Sequence, residues 1–309
     1  MRKLLALSLF CVFSVSIAHA AEAPKCQKVR IADLGWTDIM LTNGTAEALL
    51  DSLGYDATQT LLGMDVTFVS LKSGEMDVFQ GNWLPAQTKQ YKPYFDDGSV
   101  EVLGTNLKGA KVTLAVPKYV SDAGVKSFDD LAAHAEQFNK KIFTIEPGSN
   151  QMLLDMVAAN RHGLGGWEIV ESSEAGMLTQ VKKSVPDKRW IVFLGWEPHP
   201  MNLDYEITYL SGGDVEYGPN FGDASVRTIA RKGYSSECPN VAKLFANLVF
   251  DVDYENQGMQ VVVRESKDPG EVAREMIKRH PEKLAKWLDG VTTFDGKPAL
   301  PAAQAAFGF

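Results

Sequence analysis

Val29-Arg30-Ile31-Ala32-Asp33-Leu34-Gly35-Trp36-Thr37-Asp38 is the stretch from which the rest of the chain can be read. Residues 28–34 alternate and then turn apolar, which reads as a buried strand. Gly35 permits a sharp turn or a close backbone approach, and a tryptophan and an aspartate follow at once. Two further stretches repeat the arrangement: residues 76–79 run into Gly81-Asn82-Trp83, and residues 190–194 into Gly195-Trp196-Glu197-Pro198. In open α/β sheets ligands bind outside the carboxyl ends of the strands. Three tryptophans expected just beyond strand ends, each next to or near a glycine, are candidates for a single aromatic site. Trp167, Trp190 and Trp287 read as packing residues, the commonest role of tryptophan.

Strands and helices alternate outward from these stretches. Residues 42–53 have helical spacing and stop at Gly54. Residues 65–70, rich in β-branched and aromatic side chains, read as a strand, and residues 85–91 as a helix with Pro85 in its first turn. Beyond Gly109-Ala110, strands are expected over residues 111–116, 141–145, 167–170, 190–194 and 207–210. Helices over residues 128–138, 151–159 and 174–185 separate them. Ser211-Gly212-Gly213-Asp214 breaks the pattern; a strand over residues 225–230 and then helical spacings follow. The alternation predicts an α/β fold with mostly parallel sheets flanked by helices.

The first twenty residues belong to a different category. Arg2 and Lys3 precede an apolar run over residues 4–17, and Ala18-His19-Ala20 is a small-x-small cleavage site, so residues 1–20 read as a signal peptide. The run is too short for a confident membrane span. Cys11, in the middle of it, is badly placed for a lipid anchor. The mature chain is expected to be soluble and exported. Without Arg2 and Lys3, the 31 basic residues fall to 29 against 39 acidic ones, a balance of −10. That charge argues against nucleic acid and anionic membranes as partners and is compatible with a cationic ligand.

Cys26 and Cys238 remain after processing, and such a pair in an exported protein reads as a disulfide. The chain-entropy model gives so long a closure roughly 5 kcal/mol at most. The bridge would tie the mature N-terminus to the last third of the chain. Residues 21–109 and 212–309 then form one lobe and residues 110–211 the other, with two crossing strands as a hinge. Lobes joined in this way make a cleft that can close on a ligand.

Catalytic motifs fail on inspection. Gly290–Lys297 has the wrong glycine spacing for a phosphate-binding loop, and Pro298 stands where Ser or Thr is required. Gly163-Leu164-Gly165-Gly166 lacks the last glycine of a dinucleotide fingerprint. Neither a G-x-S-x-G elbow nor HExxH is present, and the histidines are isolated from the cysteines. No catalytic residue, metal or cofactor is expected. An aromatic cage suits a quaternary ammonium ion, which cannot donate hydrogen bonds and is attracted to electron-rich ring faces, each desolvated contact being worth up to ~2 kcal/mol. Asp38, in the same loop as Trp36, can balance the charge or accept a hydroxyl hydrogen bond.

The stretches Gly35-Trp36-Thr37-Asp38, Gly81-Asn82-Trp83-Leu84-Pro85, Ile145-Glu146-Pro147-Gly148, Glu171-Ser172-Ser173-Glu174, Phe193-Leu194-Gly195-Trp196-Glu197-Pro198-His199-Pro200 and Tyr209-Leu210-Ser211-Gly212-Gly213 resemble the periplasmic choline-binding proteins of the glycine betaine/choline/carnitine solute-binding family. The resemblance covers nearly all of the mature chain, including Cys26 and Cys238. It implies a two-lobed periplasmic binding protein with a disulfide, holding a quaternary ammonium ligand in the cleft by an aromatic box and passing it to an ABC permease in the inner membrane; the chain is expected to be a monomer. By the same resemblance Trp36, Trp83 and Trp196 match the aromatic box, and Asp38 matches the carboxylate that meets the choline hydroxyl. Two positions depart from the family pattern. Val112 stands where the box has a tyrosine, which leaves a wall open or calls for a ring such as Tyr119 to swing in. Ser149, followed by Asn150, stands where the family has an asparagine.

Ser149 and Asn150 lie where a helix is expected to begin, a place that suits an anion and would favour glycine betaine or carnitine. Asp38 would repel a carboxylate, which ranks choline first. A hydrolase acting on choline esters is the alternative from another class, and it would require a nucleophile or a metal in the cleft. A sensor that touches a receptor would share the same site.

Overall fold

The computed structural model describes residues 21–309, so the signal-peptide reading of residues 1–20 lies outside the described residues. Its strands are β1 (Lys28–Asp33), β2 (Asp56–Leu61), β3 (Val78–Leu84), β4 (Val100–Pro117), β5 (Lys141–Thr144), β6 (Glu168–Glu171), β7 (Phe193–Glu197), β8 (Ile207–Tyr209) and β9 (Asp223–Arg231). They are ordered β2-β1-β3-β9-β4-β7-β5-β6, with β8 pairing β4 off this path. β1 runs parallel to β2 and β3, and β5 parallel to β6 and β7. β9 and β4 lie between these parallel sets and run antiparallel to their neighbours.

β4 joins the two halves. Its residues from Val100 to Lys111 pair with β9, and those from Lys111 to Ala115 pair with β7. Lys111 therefore faces Asp223 on one side and Glu197 on the other, and the chain passes between the halves there. The result is a two-lobed α/β architecture with a parallel set of strands in each lobe. Residues 213–217 pack on the β7-β5-β6 half: Gly213 lies against the Phe128 ring, and Glu216 pairs with Arg161 at 3.0 Å.

Several local expectations change. Residues 65–70 belong to a helix, Met64–Ser73, because Met64, Phe68 and Leu71 are buried at helical spacing while Val66 and Val69 are exposed. Burial at i, i+4 and i+7 overrides β-branched composition. The strand of that region is β2, whose polar Thr58 and Gln59 hid it. Residues 128–138 form only the turn Phe128–Leu131 and a 3-10 segment, Ala132–His134. Strands β3 and β7 extend further than their apolar runs, so Trp83 and Trp196 are strand residues, and only Trp36 stands in the turn beyond its strand. Trp167 and Trp190 pack around Phe138, and Trp287 packs on Phe250 and Tyr254.

A disulfide joins Cys26 to Cys238, with their Cα atoms 5.5 Å apart. It ties the turn Pro24–Cys26 to the start of the helix Pro239–Asn247. The helix Thr37–Ser52 is buried along most of its length and packs against the helices Val252–Glu265 and Pro269–Arg279. Gly258 makes the first contact possible, because a Cβ there would lie 2.5 Å from Leu41 Cδ2. This close approach brings the helix Val252–Glu265 up beneath Asp38.

Candidate functional site

Trp36, Trp83 and Trp196 converge on one cavity, which Asp38, Val112, Ser149 and Tyr217 also line. Its volume is about 50 Å³, measured as the space open to the centre of a water-sized sphere. Each tryptophan is only 6% exposed. None of the lining residues is a lysine or an arginine.

Each ring is placed by local structure. Gly35 adopts φ +74°, and its N–H donates to Asp33 Oδ1 at 3.0 Å, which turns the chain so that Trp36 caps the helix Thr37–Ser52. The Trp36 Nε1–H donates to Glu146 Oε2 at 2.9 Å, reaching across to the other half. A bulge in β3 between Phe79 and Asn82 re-aims the following side chains, Trp83 among them. The Trp83 Nε1–H donates to Asp38 Oδ2 at 3.3 Å. Trp196 pairs directly with Val112 across β7 and β4, and the edge-to-face ring of His199 lies 4.9 Å from it. The Trp36 and Trp83 N–H groups thus end on carboxylates, as buried tryptophan requires.

Asp38 lies in the first turn of its helix, 3% exposed. Burial, and then the nearby Glu174 carboxylate, push its carboxyl up to about 7. Glu174 lies on the other half at the start of the helix Glu174–Ser184. It accepts the Thr37 N–H at 3.1 Å and the Thr37 hydroxyl hydrogen. His199 Nδ1 accepts the Met201 N–H at 3.0 Å, so the ring proton is on Nε2, which donates to Glu174 Oε1 at 3.1 Å. Lys89–Asp155 and Arg264–Asp204, each at 2.6 Å, add exposed pairs between the halves. The conformation is closed.

The structure brings Trp36, Asp38, Trp83, Ser149, Trp196 and Val112 to the cavity, and leaves Asn150 out. Asn150 Nδ2 donates to the carbonyls of Ile145 and Glu146 and to Glu171 Oε1, and its Oδ1 accepts from Thr144. Its amide is spent on holding the loop that carries Ser149. The Ser149 hydroxyl donates to Glu146 Oε1 at 2.5 Å. Tyr119 does not line the cavity: it is half-buried against the core, and its hydroxyl donates to the Arg189 carbonyl. The further ring in the cavity is Tyr217, buried beside Phe128, which sequence reasoning passed over because a four-residue helical turn carries no periodic signal. Glu146 and Glu174 were legible as motif members, but not as partners of Trp36 and Thr37. Among the described residues no cluster of three His, Cys, Asp or Glu side chains is placed to hold a metal ion.

A two-lobed α/β protein that closes over an aromatic cavity falls in the class of periplasmic binding proteins, and the comparisons agree. The model for the substrate-binding domain of ABC-type glycine betaine transport systems matches residues 27–279, and the chain belongs to that family. Members act outside the cytoplasm. The chain is 46% identical to an ABC-transporter choline-binding protein solved in complex with choline, over 93% of this chain and 100% of that one, with a TM-score of 0.91. It is 29% identical to lactococcal OpuAC in a closed, glycine betaine-bound form, over 84% and 98% of the two chains, with a TM-score of 0.74. The glycine betaine/carnitine transport binding protein GbuC of Listeria monocytogenes is 33% identical over 163 residues, which are 52% of this chain and 53% of that protein.

Proposed function

We propose that this chain binds a quaternary ammonium compound, choline first, between its lobes and delivers it to an ABC permease. One observation carries the reading: three tryptophans from distant parts of the chain line one cavity with a buried carboxylate at Asp38. Ring faces and a single carboxylate suit a cation with a hydroxyl. The relative solved with choline supports the same choice.

Glycine betaine and carnitine rank lower. Their carboxylate would meet no lysine or arginine in the lining, while Asp38, Glu146 and Glu174 surround the cage with acidic groups. The hydrolase reading is weaker still, since the cavity hydroxyl of Ser149 faces the carboxylate of Glu146 and His199 is engaged with Glu174. Calorimetric titration with choline, glycine betaine, carnitine and proline tests the assignment. Choline is expected to bind most tightly. Binding of none of the four would overturn the function, and a tighter carboxylated ligand would overturn the ranking.

The lobes are taken as residues 21–109 with 212–309, and residues 110–211, the cage forming when they close. The packing of residues 213–217 favours placing the second crossing after Tyr217. Location in the periplasm follows from the signal peptide read at residues 1–20, and N-terminal sequencing of the exported protein should begin at Ala21.

A further inference from the structure

A run of amides beneath Asp38 fixes the direction of two buried oxygens. Asn43 Nδ2 donates to the Ala32 carbonyl at 3.1 Å, and a carbonyl can only accept, so Asn43 Oδ1 is turned toward Gln80. Gln80 Nε2 donates to that oxygen at 2.9 Å, which turns Gln80 Oε1 the other way. Asn106 Nδ2 donates to the Gln80 carbonyl at 2.7 Å and to Thr228 Oγ1 at 3.0 Å, which points Asn106 Oδ1 outward as well. Both oxygens and Glu255 Oε2 are buried without a protein partner.

Gln80, Asn106 and Glu255 line one small pocket with Asp38 and Thr42. The Thr42 hydroxyl gives its hydrogen to the Ile39 carbonyl at 3.2 Å. The side-chain polar atoms available to this pocket are therefore acceptors, and the space has no room for the centre of a water-sized sphere. Acceptors facing one another in a dry interior are unfavourable unless one becomes a donor.

The elements around Glu255 supply no countercharge. Asp38 faces it from the helix Thr37–Ser52 and Asp251 from the start of its own helix, while β3 and β4 present the neutral Gln80 and Asn106, and β9 presents Val226. Lys283 is paired with Asp251, Arg274 of the helix Pro269–Arg279 with Asp51, and His280 lies against Tyr254 and Gln257.

We propose that Glu255 carries a proton at neutral pH and donates it to the amide oxygen of Gln80 or Asn106, leaving Asp38 as the carboxyl of this pocket that ionises first. Glu255 is then a positioning residue, a neutral acid whose proton keeps a second negative charge out of the floor. Only this last role rests on the quaternary ammonium reading; the protonation belongs to the ligand-free protein. Burial, with Asp38 and Asp251 adding to it, holds the Glu255 carboxyl well above the usual range.

Melting of ligand-free wild type and Glu255→Gln between about pH 4 and about pH 9 tests this, because unfolded glutamate releases its proton near about 4.3. Above that pH the folded wild type holds a proton that its unfolded chain gives up, so it loses stability as pH rises toward the folded pKa. Glutamine supplies a donor and does not titrate. The two proteins are expected to melt together at the acid end, and the variant to gain several degrees at the alkaline end. Parallel curves would overturn the proposal. So would a dependence of wild-type melting on Na+ or K+, at constant ionic strength, that the variant lacks, since a metal ion would then occupy the place of the proton. If Glu255→Gln does not fold, infrared spectra of Asp38→Asn serve instead: a protonated-carboxyl band persisting at about pH 8 supports the proposal, and its absence overturns it. Failure of the cage reading would appear separately, as a wild type that binds no quaternary ammonium and still shows these melts.

Discussion

Thr37 and Glu174 meet across the cleft: the Thr37 N–H donates to Glu174 Oε2 at 3.1 Å, and its hydroxyl donates to Oε1. A carboxylate from one half thus caps the first turn of the helix Thr37–Ser52 in the other, where the helix dipole favours negative charge. His199 holds the same carboxylate from behind and touches Trp196. The latch and the cage share one structure.

Glu174→Ala is expected to weaken ligand affinity about 30- to 150-fold, the equivalent of about 2–3 kcal/mol of charge-assisted hydrogen bonding. Most of the loss should lie in dissociation. Stopped-flow tryptophan fluorescence reads it, and an unchanged off-rate would remove the latch.

Trp196→Ala removes a ring face and its packing, worth about 2–4 kcal/mol together, so affinity should fall by at least about 30-fold. Tyr217→Ala should cost about tenfold and Tyr217→Phe much less, because the ring is the wall. Calorimetry decides both. Full affinity in Tyr217→Ala would leave the cage with three walls.

Asp38 gives binding a pH profile. Its ligand-free carboxyl titrates at about 7, raised first by burial, and only the ionised form complements a cation. Affinity should climb as pH rises toward about 7, by up to about tenfold per unit, and level off above. The sign for ligand-free stability is opposite. A raised carboxyl contributes fully below its unfolded value near about 4, and that contribution is lost as pH rises through about 7. Asp38→Asn should flatten the affinity profile and remove only the Asp38 share of the stability loss, leaving that of Glu255; an unchanged affinity profile would assign that titration to another group.

Reducing the Cys26–Cys238 bridge releases a closure of 212 residues and should destabilise the protein by up to about 5 kcal/mol. Neither cysteine lines the cavity, so Cys26→Ser/Cys238→Ser protein should melt earlier and bind with nearly unchanged affinity. Equal melting temperatures with and without reductant would contradict the first expectation.

The α/β alternation, the cysteine pair and the three glycine-associated tryptophan stretches were legible in the sequence because each is a local signal carried by a few adjacent residues. Local signals also misled. Residues 65–70 carry strand-like composition on a helix, and Asn150 looked available until the loop around it consumed every polar atom of its amide. Thr37 and Glu174 are 137 residues apart in sequence, and no periodicity connects them. The same is true of Glu255, which shares a pocket with Asp38 on a helix whose Gly258 lies close against Leu41. The sequence by itself determined which chemistry the chain carries: indole faces, one carboxylate beside them, and a bridge to hold the lobe that presents them. Tertiary structure decided which carboxylates share that space and which amide oxygens face them. That set the charge each group can hold, since burial and neighbours, not residue type, set the cost of ionisation.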